Sequence, residues 1–541
     1  MSVSGRERLD ALRDATFEQW PGEASARAAA PRRDPALIET HISWVLLVGD
    51  LALKVKKPLR LPFLDFSTLA QRREACQDEL RLNRRFAPEI YRAVVAITDA
   101  GSGRLAIDGP GPVLDYAVHM RRFGQADLLS ERAARGLLGA DIVDRLAAEV
   151  AAAHGRAPRL PDGAPWGAAQ EVWGWVAENF ESLRGLPVDP AIRRGLDSLE
   201  AWTRAEQARV APHLDARRAA GLVRECHGDL HLGNIVLLDG RPRPFDCIEF
   251  NPALRWLDPM SDVAFLFMDL HERGLAPLAW RFASAYLQQS GDYAGLRVLR
   301  YFAVYRALVR AKVAALRLAQ RGPSDAEPDR ARSELATYVG LAEGFARQRR
   351  PLLLLTHGLS GSGKSHLAAG LVERLGLLQL RSDLERKRRF GLAPTARSGS
   401  ALDGGIYTAE ATRATYDRLA ELAGLALDEG YPVLVDATFL RRAERERFRA
   451  LADETGSDCL ILDLEAPLDC LAQRLRSRAA EGRDASEADL AVLQRQLARR
   501  EPLSAAERAR AIAVDSSHGD AVARAASGVL ARHPELRLDS V

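Results

Sequence analysis

The chain has 541 residues, 47% of them hydrophobic and 28% charged, with a formal net charge of +3. This composition excludes fibrous, collagen-like and wholly disordered chains, and the near-neutral charge supplies no overall field toward nucleic acid or a membrane surface. Arg provides nearly all the basic residues, which makes the rare lysines informative.

Residues 1–35 are polar and rich in Ala and Arg, and read as an N-terminal extension. Ile42–Val48 and Leu51–Val55 are apolar runs split by Gly49-Asp50, a strand–turn–strand pattern. Residues 67–86 have helical spacing, and Val94–Thr98 and Val113–Met120 read as further strands. The beginning of the chain is therefore expected to form a small, mostly antiparallel sheet with one helix. Residues 125–220 are helical in pattern, 222–250 are short apolar runs between Asp, Gly and Asn turns, and helices resume from 258 to 320. Residues 321–329 (RGPSDAEPD) read as a loop, followed by a helix near 330–348. Strands at 352–356, 377–380, 432–436 and 459–463 then alternate with helices, which predicts a parallel sheet. The division is 1–35, 36–345 and 350–541.

The five cysteines, Cys76, Cys226, Cys247, Cys459 and Cys470, are scattered and lack metal-ligand spacing, as suits a reducing cytoplasm. The opening MSVSGRERLDALRD has no apolar core of a secretory signal, and no apolar run approaches the ~20 residues of a membrane span. The expectation is a soluble cytoplasmic protein without nucleic-acid or membrane partners.

Two stretches carry chemistry. In the first half, His227, Asp229 and Asn234 stand at H-x-D-x-x-x-x-N spacing, and Asp246 follows a short apolar run and a turn. Such a set can orient a hydroxyl and hold Mg²⁺ on a nucleotide. Taken singly, the same residues read as a packed loop histidine, a turn residue and a cap. The pattern resembles the aminoglycoside-phosphotransferase branch of the protein-kinase-like fold. The resemblance implies that Asp229 is the catalytic base, Asn234 and Asp246 the metal ligands, and His227 a loop-shaping residue. It also calls for an ATP-phosphate lysine on a strand. Lys54 in Leu51-Ala52-Leu53-Lys54 is the choice, with Lys56 on the same strand face as the alternative. The lysine's partner is expected on the helix at 67–86, as Glu79 or else Glu74. Tyr116–Arg122 would connect two lobes and meet adenine through the backbone. Asp258-Pro259 and Asp262 read as a structural helix-opening pair. No G-x-G-x-x-G loop precedes Lys54.

In the second half, Gly358 to Ser365 spell G-x-x-x-x-G-K-S between a predicted strand and a predicted helix at His366–Leu375. Gly358, Ser360, Gly361, Ser362 and Gly363 would let successive backbone N–H groups face one phosphate, at a helix N-terminus that favours anions. Lys364 would reach the β and γ phosphates, and Ser365 would hold Mg²⁺. Asp436, ending an apolar strand, is the second expected metal contact. Asp383, after the second strand, is either a general base for an acceptor hydroxyl or a helix N-cap. Of Arg474, Arg476, Arg478 and Arg483, at least one is expected to neutralise transferred phosphate, with Arg478 the choice. This half resembles P-loop small-molecule kinases of the gluconate kinase and zeta-toxin type.

Together these readings predict an α+β, kinase-like, two-lobed domain followed by an α/β P-loop domain with a parallel sheet. The expected function is an ATP- and Mg²⁺-dependent phosphotransferase, bifunctional, acting on the hydroxyl of a small molecule. The rival reading is a nucleotide-gated regulatory ATP-binding protein with a non-catalytic kinase-like half.

Overall fold

The computed structural model describes residues 12, 14–16, 19, 36–61, 64–101, 104–186, 188–319, 327–347, 351–401, 403–481 and 485–538. Most of the expected extension over 1–35, residues 321–326 of the expected loop, and Arg483 lie outside the described residues. The chain forms two compact units. One comprises 1–149, 153–172 and 214–266, and the other 150–152, 173–213 and 267–541.

In the first unit, β1 (Ala36–Glu39), β2 (Ser43–Val48), β3 (Leu51–Lys56), β6 (Tyr91–Gly101), β7 (Arg104–Ile107) and β8 (Val113–Arg121) make an antiparallel sheet. Its order is β1-β2-β3-β8-β6-β7, and a two-stranded ladder of β4 (Arg60–Leu61) and β5 (Leu64–Asp65) stands beside it in sequence. The Gly49-Asp50 turn joins β2 to β3, with Gly49 at φ 54°. Leu51, Leu53 and Val55 face one apolar cluster with Leu46, Val48 and Val95. The alternate residues Ala52, Lys54 and Lys56 face the other side, where Ala52 packs with Cys76 of helix α1 (Leu69–Asn83). Thr68 caps α1 in a reciprocal box with Gln71. Two short pairings complete the unit: β10 (Ile235–Leu238) with β11 (Arg241–Pro244), and β9 (Arg224–Glu225) with β12 (Trp256–Leu257). Helices α2 (Leu129–Ala134) and α3 (Ala140–Arg156) lie mostly in this unit and α6 (Pro259–Glu272) begins in it, while α4 (Ala169–Arg184) and α5 (Pro190–Ala219) fall mostly in the second unit.

The second unit holds a five-stranded parallel sheet. Its strands are β13 (Leu352–His357), β14 (Leu378–Arg381), β15 (Val433–Asp436), β16 (Asp458–Glu465) and β17 (Ala511–Asp515), in the order β14-β15-β13-β16-β17. Leu352–Leu355 and Val433–Val435 are buried on both faces, which is why they read as continuous apolar runs. The surrounding helices in chain order begin with α7 (Ala276–Ser290), α8 (Leu296–Ala319), α9 (Glu327–Ala346), α10 (Lys364–Leu375) and α11 (Ser382–Arg389). They continue with α12 (Ala409–Asp428), α13 (Arg442–Glu454), α14 (Leu468–Glu481), α15 (Leu490–Arg499), α16 (Ala505–Ala509) and α17 (Ala521–Leu530). Helices α7 to α9 thus belong to the compact unit that holds the parallel sheet, although sequence patterning divides the chain near 345–350.

The sheets therefore have the expected α+β and α/β forms, with four differences in detail. Strands β1 and β7 carry no buried alternation to betray them, β1 being wholly exposed. Strand β17 lies at the sheet edge and is only partly buried. Helix α10 starts at Lys364 rather than His366, directly after Gly363. Residues Tyr116–Arg121 belong to β8 and not to a connector, because β8 pairs with β3 as far as Arg121. Among the described residues no helix is long and apolar enough to cross a membrane.

Candidate active sites

The first site grows from the alternation of β3. Lys54 and Lys56 share a face, and α1 lies across it with Glu79 fully buried. Lys54 Nζ reaches Glu79 Oε1 at 2.9 Å and Asp246 Oδ1 at 2.5 Å. Lys56 Nζ takes the other Glu79 oxygen and also Glu249. Glu74 lies on the exposed face of α1, away from both lysines. Burial alone would raise the Glu79 carboxyl, but the two ammonium groups outweigh it and bring its pKa to about 2. Burial likewise works against the Lys54 charge, and Asp246 and Glu79 overcome it, holding the ammonium well above the usual lysine range. Burial lifts the Glu249 carboxyl.

The loop between β9 and β10 supplies the other side chains. The backbone N–H of His227 donates to Asp262 Oδ2 at 2.8 Å and that of Gly228 to Oδ1 at 3.0 Å. Asp262, fully buried on α6, thus anchors the start of the loop and does more than open a helix. Gly228 sits at φ 86°, and a Cβ there would lie 2.6 Å from the Leu254 carbonyl oxygen, so only glycine fits. His227 is fully buried, and its burial depresses its pKa. The Asp229 N–H donates to its Nδ1 at 3.3 Å, while Nε2 lies 2.9 Å from the Phe245 carbonyl. This fixes the neutral Nε2–H tautomer. Asn234 Nδ2 donates to Asp229 Oδ2 at 3.0 Å and to its backbone oxygen at 3.1 Å. The Phe245 N–H returns to the Asn234 carbonyl at 2.9 Å, which sets Asp246 next to Asn234. Asp246 adopts φ 62°, and its N–H donates to the Tyr91 hydroxyl at 3.1 Å. Its carboxylate stays partly open to solvent, 41% exposed, as a metal ligand requires.

Asp258 begins α6 as expected, accepting the Met260 N–H at 2.9 Å and pairing with buried Arg217 at 2.6 Å. One ligand atom from each of His154, Cys226 and Asp262 falls within 4.8 Å of the others. Both Asp262 oxygens already take loop amides, and burial pushes the Cys226 thiol well up, so this group is scaffolding.

In the second site the loop after β13 turns back to α10. Gly361 has φ 85°, and a Cβ there would meet the Leu471 carbonyl oxygen at 2.8 Å. Gly358 lies at φ 151° and donates to the Thr438 carbonyl, and Gly363 stands at the N-cap of α10 with φ 83°. The Ser362 hydroxyl is buried without a hydrogen-bond partner, an orphan that a phosphate oxygen would satisfy, whereas the N–H groups of Gly358, Ser360 and Ser362, expected to face phosphate, already donate to Thr438, Gln496 and Leu359. Lys364 Nζ donates to the loop's own carbonyls, Leu359 at 2.7 Å and Gly358 at 3.1 Å. Burial brings its pKa down to about 8, against the pull of Asp436 and Asp383. Ser365 hydrogen-bonds the buried Asp436 carboxyl, whose burial raises its pKa. Gln379 Nε2 donates to Asp436 Oδ2 at 3.0 Å.

Helix α11 places Arg381 at its N-cap and Asp383 in the first turn, with no capping bond from Asp383. Asp383 stands close enough to Lys364, Asp436 and Tyr407 to act on all three. Of the arginines, Arg478 donates to the Ala488 carbonyl at 2.8 Å and works against the Lys364 charge. Arg474 reaches the loop itself, with Nη1 3.4 Å from the Gly361 carbonyl and Nη2 2.6 Å from that of Ser516. Arg476 is exposed. Gln496 is a loop partner that motif reasoning misses. Its Oε1 accepts the Ser360 N–H at 2.8 Å, and its Nε2 donates to the Ser360 hydroxyl at 3.0 Å. A separate cavity of about 330 Å³, lined by Arg442, Arg445, Cys459, Glu507 and Arg510, contains none of the predicted site residues.

The AAA domain family matches residues 353–503. A gluconokinase structure from Sinorhizobium meliloti 1021 is 22% identical, covering 36% of this chain and 100% of that one at a TM-score of 0.26. A choline/ethanolamine kinase family protein from Mesorhizobium loti is 14% identical, covering 61% of this chain and 99% of that one at 0.35. The uncharacterized protein Rv2004c of Mycobacterium tuberculosis is 32% identical over 455 residues, which is 83% of this chain and 87% of the relative. Mb2027c of Mycobacterium bovis matches to the same extent. The chain belongs to the family of Rv2004c, and its residues 353–503 match the AAA domain family.

Proposed function

We propose that the protein is a phosphotransferase with two sites, each moving the γ-phosphate of Mg-ATP to the hydroxyl of a small molecule. The observation that carries this reading is the convergence of Lys54 on both Glu79 and Asp246, next to Asp229 held by Asn234. In the first site Lys54 suits the nucleotide's phosphates, and Asn234 and Asp246 suit Mg²⁺. Asp229 accepts the proton of the acceptor hydroxyl as its oxygen forms the new P–O bond, and ADP departs. Asn234 and His227 keep that carboxylate oriented.

In the second site Lys364 suits the β and γ phosphates, and Ser365 and Asp436 would hold Mg²⁺. Asp383 would take the acceptor proton, and Arg478 and Arg474 would offset charge that grows during transfer. The acceptors follow from pocket side chains outside the motifs, and the kinase-like folds do not name them.

The test is ADP release across a library of hydroxyl-bearing metabolites, with intact protein, Asp229→Ala and Lys364→Ala in parallel. An acceptor served by the first site is lost with Asp229→Ala alone, and one served by the second with Lys364→Ala alone. If no compound stimulates ADP release from the intact protein, the reading fails and a nucleotide-gated binding role replaces it.

A further inference from the structure

One edge of the parallel sheet is β14, which has no neighbouring strand on that side among the described residues. An open edge of this kind must be covered or left to water. Helix α7 covers it. The buried Ser284 hydroxyl accepts the Gln379 N–H at 3.1 Å. The same helix is fixed on both sides of that bond. Arg281 pairs with Glu373 of α10, and the Trp280 ring meets Tyr431 edge-on at 6.3 Å between centroids. Arg388 of α11 donates to the Gln288 carbonyl near the C-terminal end of α7.

Gln379 carries the contact inward. Its side chain is buried, and Nε2 donates to Asp436 Oδ2 at 3.0 Å. Asp436 in turn is hydrogen-bonded by Ser365. A continuous buried path therefore runs from Ser284 through the backbone and side chain of Gln379 to the carboxylate suited to the metal. An amide donor on one carboxylate oxygen fixes which lone pairs remain for a cation, as outer partners of metal ligands generally do.

We infer that Ser284 and Gln379 are positioning residues for Asp436, so that α7, which precedes the sequence boundary near 345–350, is a working part of the P-loop site. This rests on the proposed Mg-nucleotide role of that site. Two measurements on the full chain test it separately from that role. The first is hydrogen exchange of the Gln379 amide without nucleotide, which asks only whether α7 covers the edge. The second is the Mg²⁺ dependence of binding of a fluorescent ATP analogue, measured in a Lys54→Met background so that the second site is read.

Ser284→Ala should speed exchange at Gln379 about tenfold or more while β13 stays protected, and Ser284→Thr should restore it. Gln379→Leu should raise the Mg²⁺ concentration for half-saturation about tenfold, and Ser284→Ala should shift it the same way by a smaller factor. Binding measured in excess chelator should not change, a split that a merely structural contact would not produce. Unchanged exchange in Ser284→Ala overturns the covering role. Faster exchange with an unmoved Mg²⁺ dependence overturns the positioning role. If the parent binds no nucleotide at any Mg²⁺ concentration, the phosphate-site reading falls, and the positioning role falls with it.

Discussion

Lys54 on β3 and Asp246 after β11 meet at 2.5 Å, although 192 positions separate them in the chain. The contact joins the residue suited to phosphate with the residue suited to metal, and both ends matter only when a nucleotide is present. Lys54→Met should lower kcat/KM of the first site by about 100-fold or more, by loss of a preorganised charge. Steady-state ADP release with a first-site acceptor checks this. Lys56 remains paired with Glu79 and Glu249 in this variant, so denaturant unfolding beside the assay separates lost turnover from lost stability.

Asp229 accepts from Asn234 Nδ2 at 3.0 Å and lies 3.4 Å from His231 Nε2. Asp229→Ala should reduce turnover at the first site by about 10²–10⁴-fold, the range of a lost general base, with little change in nucleotide affinity. Titration calorimetry beside the kinetic assay separates the two effects. Asn234→Ala should weaken Mg²⁺ dependence as well as turnover.

Lys56 is the buried partner of two buried carboxylates, Glu79 and Glu249. Lys56→Met should destabilise the first unit by about 3–5 kcal/mol, because it leaves buried charge uncompensated. Lys57 pairs with the exposed Glu39, and Lys57→Ala should leave the unfolding midpoint unmoved. Denaturant unfolding of the two variants side by side is the check.

Lys364 has its pKa brought down to about 8 by burial, so the empty loop loses that charge as pH rises through about 8. Polyphosphate favours the ammonium form. Nucleotide affinity of the second site should therefore fall as pH rises above about 8, and binding at higher pH should take up a proton. Calorimetry in two buffers of different ionisation heat, in a Lys54→Met background, measures the uptake. No uptake at pH 9 would count against the buried lysine.

Much of this was legible from the residues because the phosphate loop and the H-x-D-x-x-x-x-N stretch are local. Gly358 to Ser365 form one turn between a strand and a helix, and their spacing alone predicts it. The face shared by Lys54 and Lys56 was also legible, through strand alternation and the scarcity of lysine, while the choice of Lys54 rests on likeness to the V-A-I-K strand. The second charge pair was not. Glu249 reads as an ordinary loop acid until the fold sets it against Lys56, 193 positions away. Gln379 and Gln496 likewise show no pattern in sequence, since one polar side chain on a strand or helix has many explanations. The placing of α7 with the parallel sheet depends on Ser284 and Arg281, whose partners Gln379 and Glu373 lie 95 and 92 positions on, and on Trp280, whose partner Tyr431 is farther still. Composition marks where the chain is loose, and long-range packing decides which pieces belong together.

Helix α1 is clasped at Glu79 by two ammonium groups from one strand, and the second of these is clasped in turn by Glu249. To swing this helix outward would break both Glu79 pairs in a dry interior, leaving Lys54 only Asp246 and Lys56 only Glu249. The first unit therefore has no inexpensive resting posture with its helix turned away. Its traffic must be governed at the entrance, by which molecules arrive, rather than by loosening the machinery within.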